Sequence, residues 1–178
     1  MDKKALFLDR DGVINADNGY VYKVSDFQFL DGIFDFCRLA CSKGYLVFVV
    51  TNQAGIGRGY YNVTDFNLLT RWMCEKFLAE DISISKVYFS PYHPVHGLGH
   101  YKKDDYSRKP KPGMIQQAAD EFNLDLSVSV LVGDKITDIQ AGISAGVGRN
   151  ILLASSGSVR KKIACINVSS LYGAAEYL

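Results

Sequence analysis

Short apolar runs alternate with longer amphipathic stretches along most of this chain, and that alternation constrains the fold more than any other feature. Residues 5–8, 46–50, 87–89, 128–132 and 150–153 are strand-like: short, rich in branched or aromatic side chains, and bounded by Gly, Asp, Asn or Ser. The stretches between them read as helices. Residues 33–42 follow Asp31-Gly32 and stop before Gly44, a C-terminal cap. Residues 64–79 put Phe66, Leu69, Met73 and Phe77 on one stripe at three- and four-residue spacing, with Trp72 beside it as a packing residue. Residues 114–122 and 136–145 complete the set. Strands alternating with helices of this length imply βαβ units, so the expected fold is α/β, a doubly wound, Rossmann-like parallel sheet of about five to six strands. After residue 153, residues 163–168 read as an edge strand and 171–178 as a short helix.

Two stretches break the alternation. Residues 10–30 are polar with little periodicity, and 91–112 carry Pro, Gly and Lys. Loops beyond about 15 residues in a compact domain are usually functional or disordered. Both follow a predicted strand, and open α/β sheets bind ligands outside the carboxyl ends of their strands.

Composition narrows the function classes. With 178 residues, one domain over 1–178 is expected, and 48% hydrophobic residues can fill its core. Lys plus Arg number 20 against 19 Asp plus Glu, so no long-range field draws the chain to nucleic acid or an acidic membrane. No apolar run approaches the roughly 18 residues of a membrane span. The start, Met1-Asp2-Lys3-Lys4, leads into an apolar stretch too short for a signal peptide. Cys37, Cys41, Cys74 and Cys165 lack CxxC spacing and read as reduced core thiols. A cytoplasmic, monomeric protein with no nucleic-acid or membrane partner is expected.

The strand ends carry the chemistry. Asp9 closes the first strand, with Asp11 following in Asp9-Arg10-Asp11-Gly12; Thr51 and Asn52 end the second; Asp134, Lys135 and Asp138 follow the fourth. Adjacent strands lie about 4.8 Å apart, so these groups share one crevice. Two carboxylates about 4 Å apart repel by about 4 kcal/mol at an effective dielectric near 20. An oxygen-only ligand set suits Mg²⁺; the ordinary alternative is that one acid caps a helix while another pairs with Arg10 or Lys135. Asp9 and Asp11 are one residue apart, and Gly12 lets the backbone leave the strand sharply, a layout for a carboxylate nucleophile beside a general acid/base. The Thr51 hydroxyl and Asn52 amide suit phosphoryl oxygens, and Arg108-Lys109-Pro110-Lys111-Pro112 supplies positive charge on a stiffened loop, though alone it reads as a solvated basic turn. Gly55-Ile56-Gly57-Arg58-Gly59 is not GxGxxG and reads as a turn from strand to helix.

Taken together, Asp9-Arg10-Asp11-Gly12, Thr51-Asn52-Gln53, Arg108-Lys109-Pro110 and Gly133-Asp134-Lys135 with Asp138 resemble the four motifs of the haloacid dehalogenase superfamily of phosphohydrolases. Asp11-Gly12-Val13-Ile14-Asn15, Gly19-Tyr20-Val21, the run from Thr51 to Gly59 and the run from Arg108 to Met114 narrow the likeness to compact members without a large cap domain. Those members take sugar bisphosphates or histidinol phosphate. The resemblance implies Asp9 as nucleophile, Asp11 as general acid/base, and Mg²⁺ held by the Asp9 carboxylate, the Asp11 carbonyl and Asp134, with Asp138 orienting metal-bound water. It implies Thr51, Lys109 and Arg108 on the phosphoryl group. Asp17, Asn18, Gly19, Tyr20, Asn52, Gln53 and Lys135 would meet a phosphorylated sugar. In many relatives the loop before the Arg-Lys-Pro motif binds zinc through three Cys and one His; here the matching residues are Ser90, Tyr92, Asp105 and Ser107. No soft thiolate remains, so structural zinc is expected to be absent. A site of His93, His96 and His100 is the alternative, against exposed or partly packed histidines. A receiver-like module is a rival from another class, but its phosphorylated Asp follows the third strand, which here ends at Ser90.

Overall fold

A computed structural model describes residues 3–154 and 164–178. The chain forms β1 (Lys4–Leu8), α1 (Ile33–Ser42), β2 (Tyr45–Asn52), α2 (Ala54–Gly57), α3 (Val63–Ala79), β3 (Ile84–Ser90), α4 (Gly113–Phe122), β4 (Val130–Gly133), α5 (Ile136–Ala145), β5 (Arg149–Leu153), β6 (Ile166–Val168) and α6 (Leu171–Ala174). The six strands make one sheet in the order β3-β2-β1-β4-β5-β6, every pair parallel. The expected doubly wound sheet is what forms.

The central strands alternate between two buried faces. Leu6, Leu8, Val47, Val49, Val130 and Val132 face α1, α3 and α6, where Phe36, Cys37, Leu69, Met73, Phe77 and Leu171 meet them. Ala5, Phe7, Phe48, Val50 and Leu131 face Met114, Ile115 and Ala118 of α4 and Ile139 and Ala141 of α5. Both faces are covered, which is why these strands read as continuous apolar runs rather than alternating ones. Trp72 packs on Phe27 and Phe29, the packing role its position suggested. All four cysteines are free thiols.

Local chemistry explains most boundaries. Asn62 caps α3, accepting from Asp65 N at 3.0 Å while Asp65 returns a bond to Asn62 N at 2.9 Å. Gly44, at φ 82°, ends α1. β4 starts two residues later than expected because Asp125 caps a 3-10 turn over Leu126–Val128 through Ser127 N. For the expected edge strand 163–168, residue 163 lies outside the described residues and β6 covers Ile166–Val168. Gly55 to Gly57 is a correction: the segment is the helix α2, not an open turn. A Cβ on Gly55 would collide with Tyr61 and Tyr20, and one on Gly57 with the Pro91 carbonyl, so close packing outweighs the low helix propensity of glycine.

The 10–30 loop is less polar in space than in sequence. Val13, Ile14, Val21 and Phe27 plug into the main core, and bridges from Asn15 to Asp11 and Phe29 hold the loop over the sheet. Among the described residues no separate cap domain stands over the strand ends; the 10–30 and 91–112 loops do.

Candidate active site

Strand order reverses beside β1, between its neighbours β2 and β4, and the polar groups gather there. Leu8 is level with Val49 on one side and Val132 on the other, and Asp9 N continues the ladder to Val132 O at 3.0 Å. Asp9, Thr51 and Asp134 therefore leave three adjacent strands at one level. A cavity of about 340 Å³ opens above them, its lining including Asp9, Asp11, Asp17, Gly19, Tyr20, Asn52, Gln53, Arg108, Lys109 and Lys135. With Asp138, which also lines it, eleven residues singled out by sequence thus share one wall. Asn18, Thr51 and Asp134 are not on it; Asp134 lines a second cavity with Gly12 and Asp31.

Lys109 is the electrostatic centre. It is almost fully buried, and its ammonium touches Asp9 Oδ1 at 2.9 Å, Asp138 Oδ1 at 2.7 Å and the Val50 carbonyl at 2.8 Å. Burial would lower its pKa, but Asp138 and Asp9 outweigh that and hold it above the usual lysine range. Burial pushes the Asp9 carboxyl up to about 7; Lys109 opposes this and Asp138 adds to it. Asp134 is pushed up to about 6, chiefly by burial, against the nearby Lys135.

The acids are both clustered and paired. Ligand oxygens of Asp9, Asp134 and Asp138 lie within 4.8 Å of one another. Asp134 Oδ1 is buried without a hydrogen-bond partner, and a Cβ on Gly12 would sit 2.3 Å from Asp134 Oδ2. Asp138 is already committed, with Oδ1 on Lys109 and Oδ2 accepting from Lys135 N at 2.9 Å. An orphaned buried carboxylate oxygen beside raised carboxyls fits a hard cation.

Asp11 sits in a different setting. Arg10 is buried and forks onto it, Nε and Nη2 reaching Oδ1 at 3.2 and 2.9 Å, while Asn15 and Gln53 donate from other sides at 3.0 and 3.1 Å. Gln53 also donates to Thr51 Oγ1 at 2.9 Å and accepts from the Tyr61 hydroxyl. Sequence reasoning placed Gln53 against substrate; its amide is spent positioning Asp11 and Thr51. Asn52 is engaged in the same way: its Nδ2 donates to Lys109 O at 3.1 Å and its Oδ1 accepts from Lys109 N at 3.0 Å, so the amide clamps the loop that delivers Lys109. Asp17 pairs with Lys135 at 2.9 Å, and that bond, against the effect of burial, holds its carboxyl below the usual range.

The far rim carries residues that the sequence did not single out. Arg58, Tyr61, His93 and Thr137 line the cavity. Neither Arg58 nor Arg108 has a carboxylate within 4 Å among the described residues, and Arg58 Nε is buried without a partner. Burial, then the neighbouring Arg58, lower the pKa of Arg108. His93 Nδ1 accepts from Val95 N and His96 N at 3.2 and 3.0 Å, which leaves Nε2 to carry the ring proton. The signal for Arg58 was a basic residue inside a glycine-rich segment just past a strand end. His100 packs at a tilt against Tyr101, and among the described residues Asp9, Asp134 and Asp138 form the one group of three or more His, Cys, Asp or Glu close enough to hold an ion.

Known proteins share this arrangement. A family described as "HAD-hyrolase-like" matches residues 106–164. The chain is 55% identical over 160 residues to the D-glycero-alpha-D-manno-heptose-1,7-bisphosphate 7-phosphatase of Burkholderia mallei, covering 90% of this chain and 85% of that protein. The chain belongs to the haloacid dehalogenase superfamily of phosphohydrolases. It is 42% identical to the D-glycero-beta-D-manno-heptose-1,7-bisphosphate 7-phosphatase of Vibrio cholerae, over all of this chain and 97% of that one. Its fold matches the D,D-heptose 1.7-bisphosphate phosphatase of B. bronchiseptica, solved with magnesium and phosphate, at a TM-score of 0.84 and 25% identity over 98% and 97% of the two chains. Membership makes this chain a phosphoric monoester hydrolase, so the receiver-like alternative falls. Superfamily phosphatases use Mg²⁺, and the acidic cluster here suits it. Among the described residues no helix is long and apolar enough to cross a membrane.

Proposed function

We propose that this phosphatase removes the C7 phosphate of D-glycero-D-manno-heptose 1,7-bisphosphate, leaving the C1 phosphate in place. The observation that carries the reading is a cavity with two anion-seeking ends. Lys109 and the acid cluster lie at the floor, and the guanidiniums of Arg58 and Arg108, which have no carboxylate partner among the described residues, stand at the rim. A substrate with one phosphate to lose and another to keep meets both. Histidinol phosphate would bring a cationic amine to an arginine rim. The names of the similar proteins point the same way.

Asp9 attacks phosphorus with Oδ2, the oxygen free of hydrogen bonds among the described residues, since Oδ1 is held by Arg10 N and Lys109. The P–O bond to the sugar breaks, and Asp11 gives its proton to the leaving oxygen. Asp11 then takes a proton from the water that opens the aspartyl-phosphate, returning Asp9 and inorganic phosphate. Lys109 and Thr51 balance charge on the transferring phosphoryl oxygens, where electrostatic positioning carries most of the catalysis, while Arg108, expected there from the family motif, stands at the rim and meets the phosphate that stays. Asp9, Asp134 and the Asp11 carbonyl would hold Mg²⁺, which neutralises phosphoryl charge when bound. Asp138, with both oxygens engaged, orients the surroundings rather than ligating directly. Asp17, Gly19, Tyr20 and Lys135 border the sugar, with Asn18 next to them in the chain but off the cavity wall.

The same reading takes 1–178 as one phosphatase domain acting as a cytoplasmic monomer. It takes the 91–112 loop as folding without structural zinc, since Ser90, Tyr92, Asp105 and Ser107 offer no thiolate. The test is phosphate release from both anomers of the heptose 1,7-bisphosphate and from histidinol phosphate, with the sugar product identified. Retention of the C1 phosphate and a higher kcat/KM on one of the bisphosphate anomers are expected. Equal or better turnover of histidinol phosphate would overturn the substrate assignment.

A further inference from the structure

The loop that delivers Arg108 to the rim is closed by a small polar network. Ser90, the last residue of β3, is fully buried, and its hydroxyl lies 3.0 Å from that of Ser107. Ser107 Oγ lies 2.7 Å from Asp105 Oδ1, and Ser107 N donates to the same oxygen at 2.9 Å. One hydroxyl has one proton. Ser107 gives it to the charged Asp105, the shorter and stronger bond, so Ser90 donates to Ser107. The other carboxylate oxygen of Asp105 takes Lys103 Nζ at 2.6 Å, and Lys103 also lies 5.2 Å from the Tyr92 ring centre. Burial would raise the Asp105 carboxyl, but Lys103 and Ser107 bring it down to about 2, so it is a carboxylate throughout the working pH range.

What this network holds is the guanidinium. Arg108 N donates to Asp105 O at 3.1 Å, so Asp105 sets the turn from 105 to 108 with both main chain and side chain. Arg108 Nη1 then donates to Tyr92 O at 3.0 Å, back on the strand of loop that leaves Ser90. The two ends of the loop are thereby tied together on either side of Arg108, one through Ser107 and Ser90, the other through Tyr92.

We propose that Asp105 is a positioning residue for substrate recognition: it fixes the loop so that the Arg108 guanidinium is held at the cavity rim before substrate arrives. Pre-set donors spare the ordering cost that a free loop would incur on binding. The role is separate from phosphoryl transfer, because the Lys109 position depends on the Asn52 amide and on Asp9 and Asp138 instead. The proposal rests on the reading that Arg108 meets the phosphate that stays on the sugar.

The experiment compares Asp105→Ala, Asp105→Asn, Ser107→Ala and Arg108→Ala on the heptose 1,7-bisphosphate and on p-nitrophenyl phosphate, which has no second phosphate. With hydrogen bonds to charged groups at stake, Asp105→Ala is expected to raise KM for the bisphosphate roughly tenfold while kcat stays within about twofold. Neither parameter should move on p-nitrophenyl phosphate. Asp105→Asn keeps an acceptor for Ser107 and should recover most of the loss. If Asp105→Ala fails to fold, Ser107→Ala must show the same split at smaller size. Equal losses on both substrates, or no change in KM while Arg108→Ala raises it, would overturn the proposal. No turnover of the bisphosphate by the unaltered protein would instead overturn the reading it rests on.

Discussion

The floor and the rim of this cavity are built by different means. On the floor, Asp9 and Asp134 stand where they do because β1 and β4 are in register, and the sheet places them whatever the loops do. At the rim, Arg58, His93 and Arg108 depend on loops held by side-chain hydrogen bonds, a helix of four residues and glycines that admit Tyr20 and Tyr61. Backbone register fixes chemistry rigidly, and loop networks fix specificity adjustably. A division of this kind lets one sheet serve many substrates.

The sharpest way to break that comparison is at the floor. Asp9→Asn keeps the volume and removes the nucleophile, so phosphate release should fall by about 10⁴-fold or more on every substrate. A loss confined to one substrate would mean that the floor also sets specificity. Asp11→Asn should cost about 10²–10⁴-fold, the usual worth of general acid–base help, again without regard to the sugar.

The floor also predicts a pH signature. The Asp9 and Asp134 carboxyls are raised to about 7 and about 6 in the folded chain, from an unfolded value near 3.8. A raised carboxyl leaves stability intact below the unfolded value and loses it as pH climbs toward the folded one. Metal-free protein should therefore melt at a lower temperature at pH 8 than at pH 5. Added Mg²⁺ should raise the melting temperature more at pH 8, where the ligands are ionised. A Mg²⁺ effect that is larger at pH 5 would contradict the assignment of these acids as ligands.

Much of the floor was legible in the sequence, and the rim much less so. Strand-end placement follows from apolar runs bounded by polar residues, so Asp9, Asp11 and Lys135 could be brought together from spacing alone, whereas Lys109 lies on a loop that alone reads as a basic turn and was placed here only by the family resemblance. The direction an amide faces cannot be read that way. Asn52 and Gln53 were placed in the cavity correctly, but their hydrogen bonds go to Lys109, Asp11 and Thr51. Arg58 was hidden by its glycines: Gly55 and Gly57 read as turn residues, whereas they are small because Tyr61 and the Pro91 carbonyl press against the helix. The 10–30 loop was read as polar because Val13, Ile14, Val21 and Phe27 are irregularly spaced, though all four are buried.

Rim changes should be smaller and substrate-dependent. Arg58→Ala and Arg108→Ala are each expected to raise KM for the bisphosphate about tenfold or more, the cost of a charge-assisted contact. Turnover of p-nitrophenyl phosphate should stay near its unaltered value with Arg58→Ala, since that side chain reaches no group on the floor. An equal loss on both substrates would join rim to floor. The smallest effect is expected in acid. Asp105 has its folded carboxyl lowered to about 2, so its contribution is present above the unfolded value near 3.8 and lost as pH falls toward 2. Asp105→Asn should flatten that part of the acid-stability curve and leave neutral-pH melting almost unchanged.

The central claim is that Asp9 carries the phosphoryl group between two half-reactions. Acid quenching during turnover of the heptose 1,7-bisphosphate, followed by peptide mass spectrometry, tests it most directly. The account predicts a phosphoryl mass on the peptide that contains Asp9, gained with substrate and Mg²⁺ and lost on chasing. The same label should build up when Asp11→Asn slows hydrolysis of the intermediate. Turnover at an unaltered rate with the phosphoryl group on another residue, or with no labelled peptide in either protein, would contradict it.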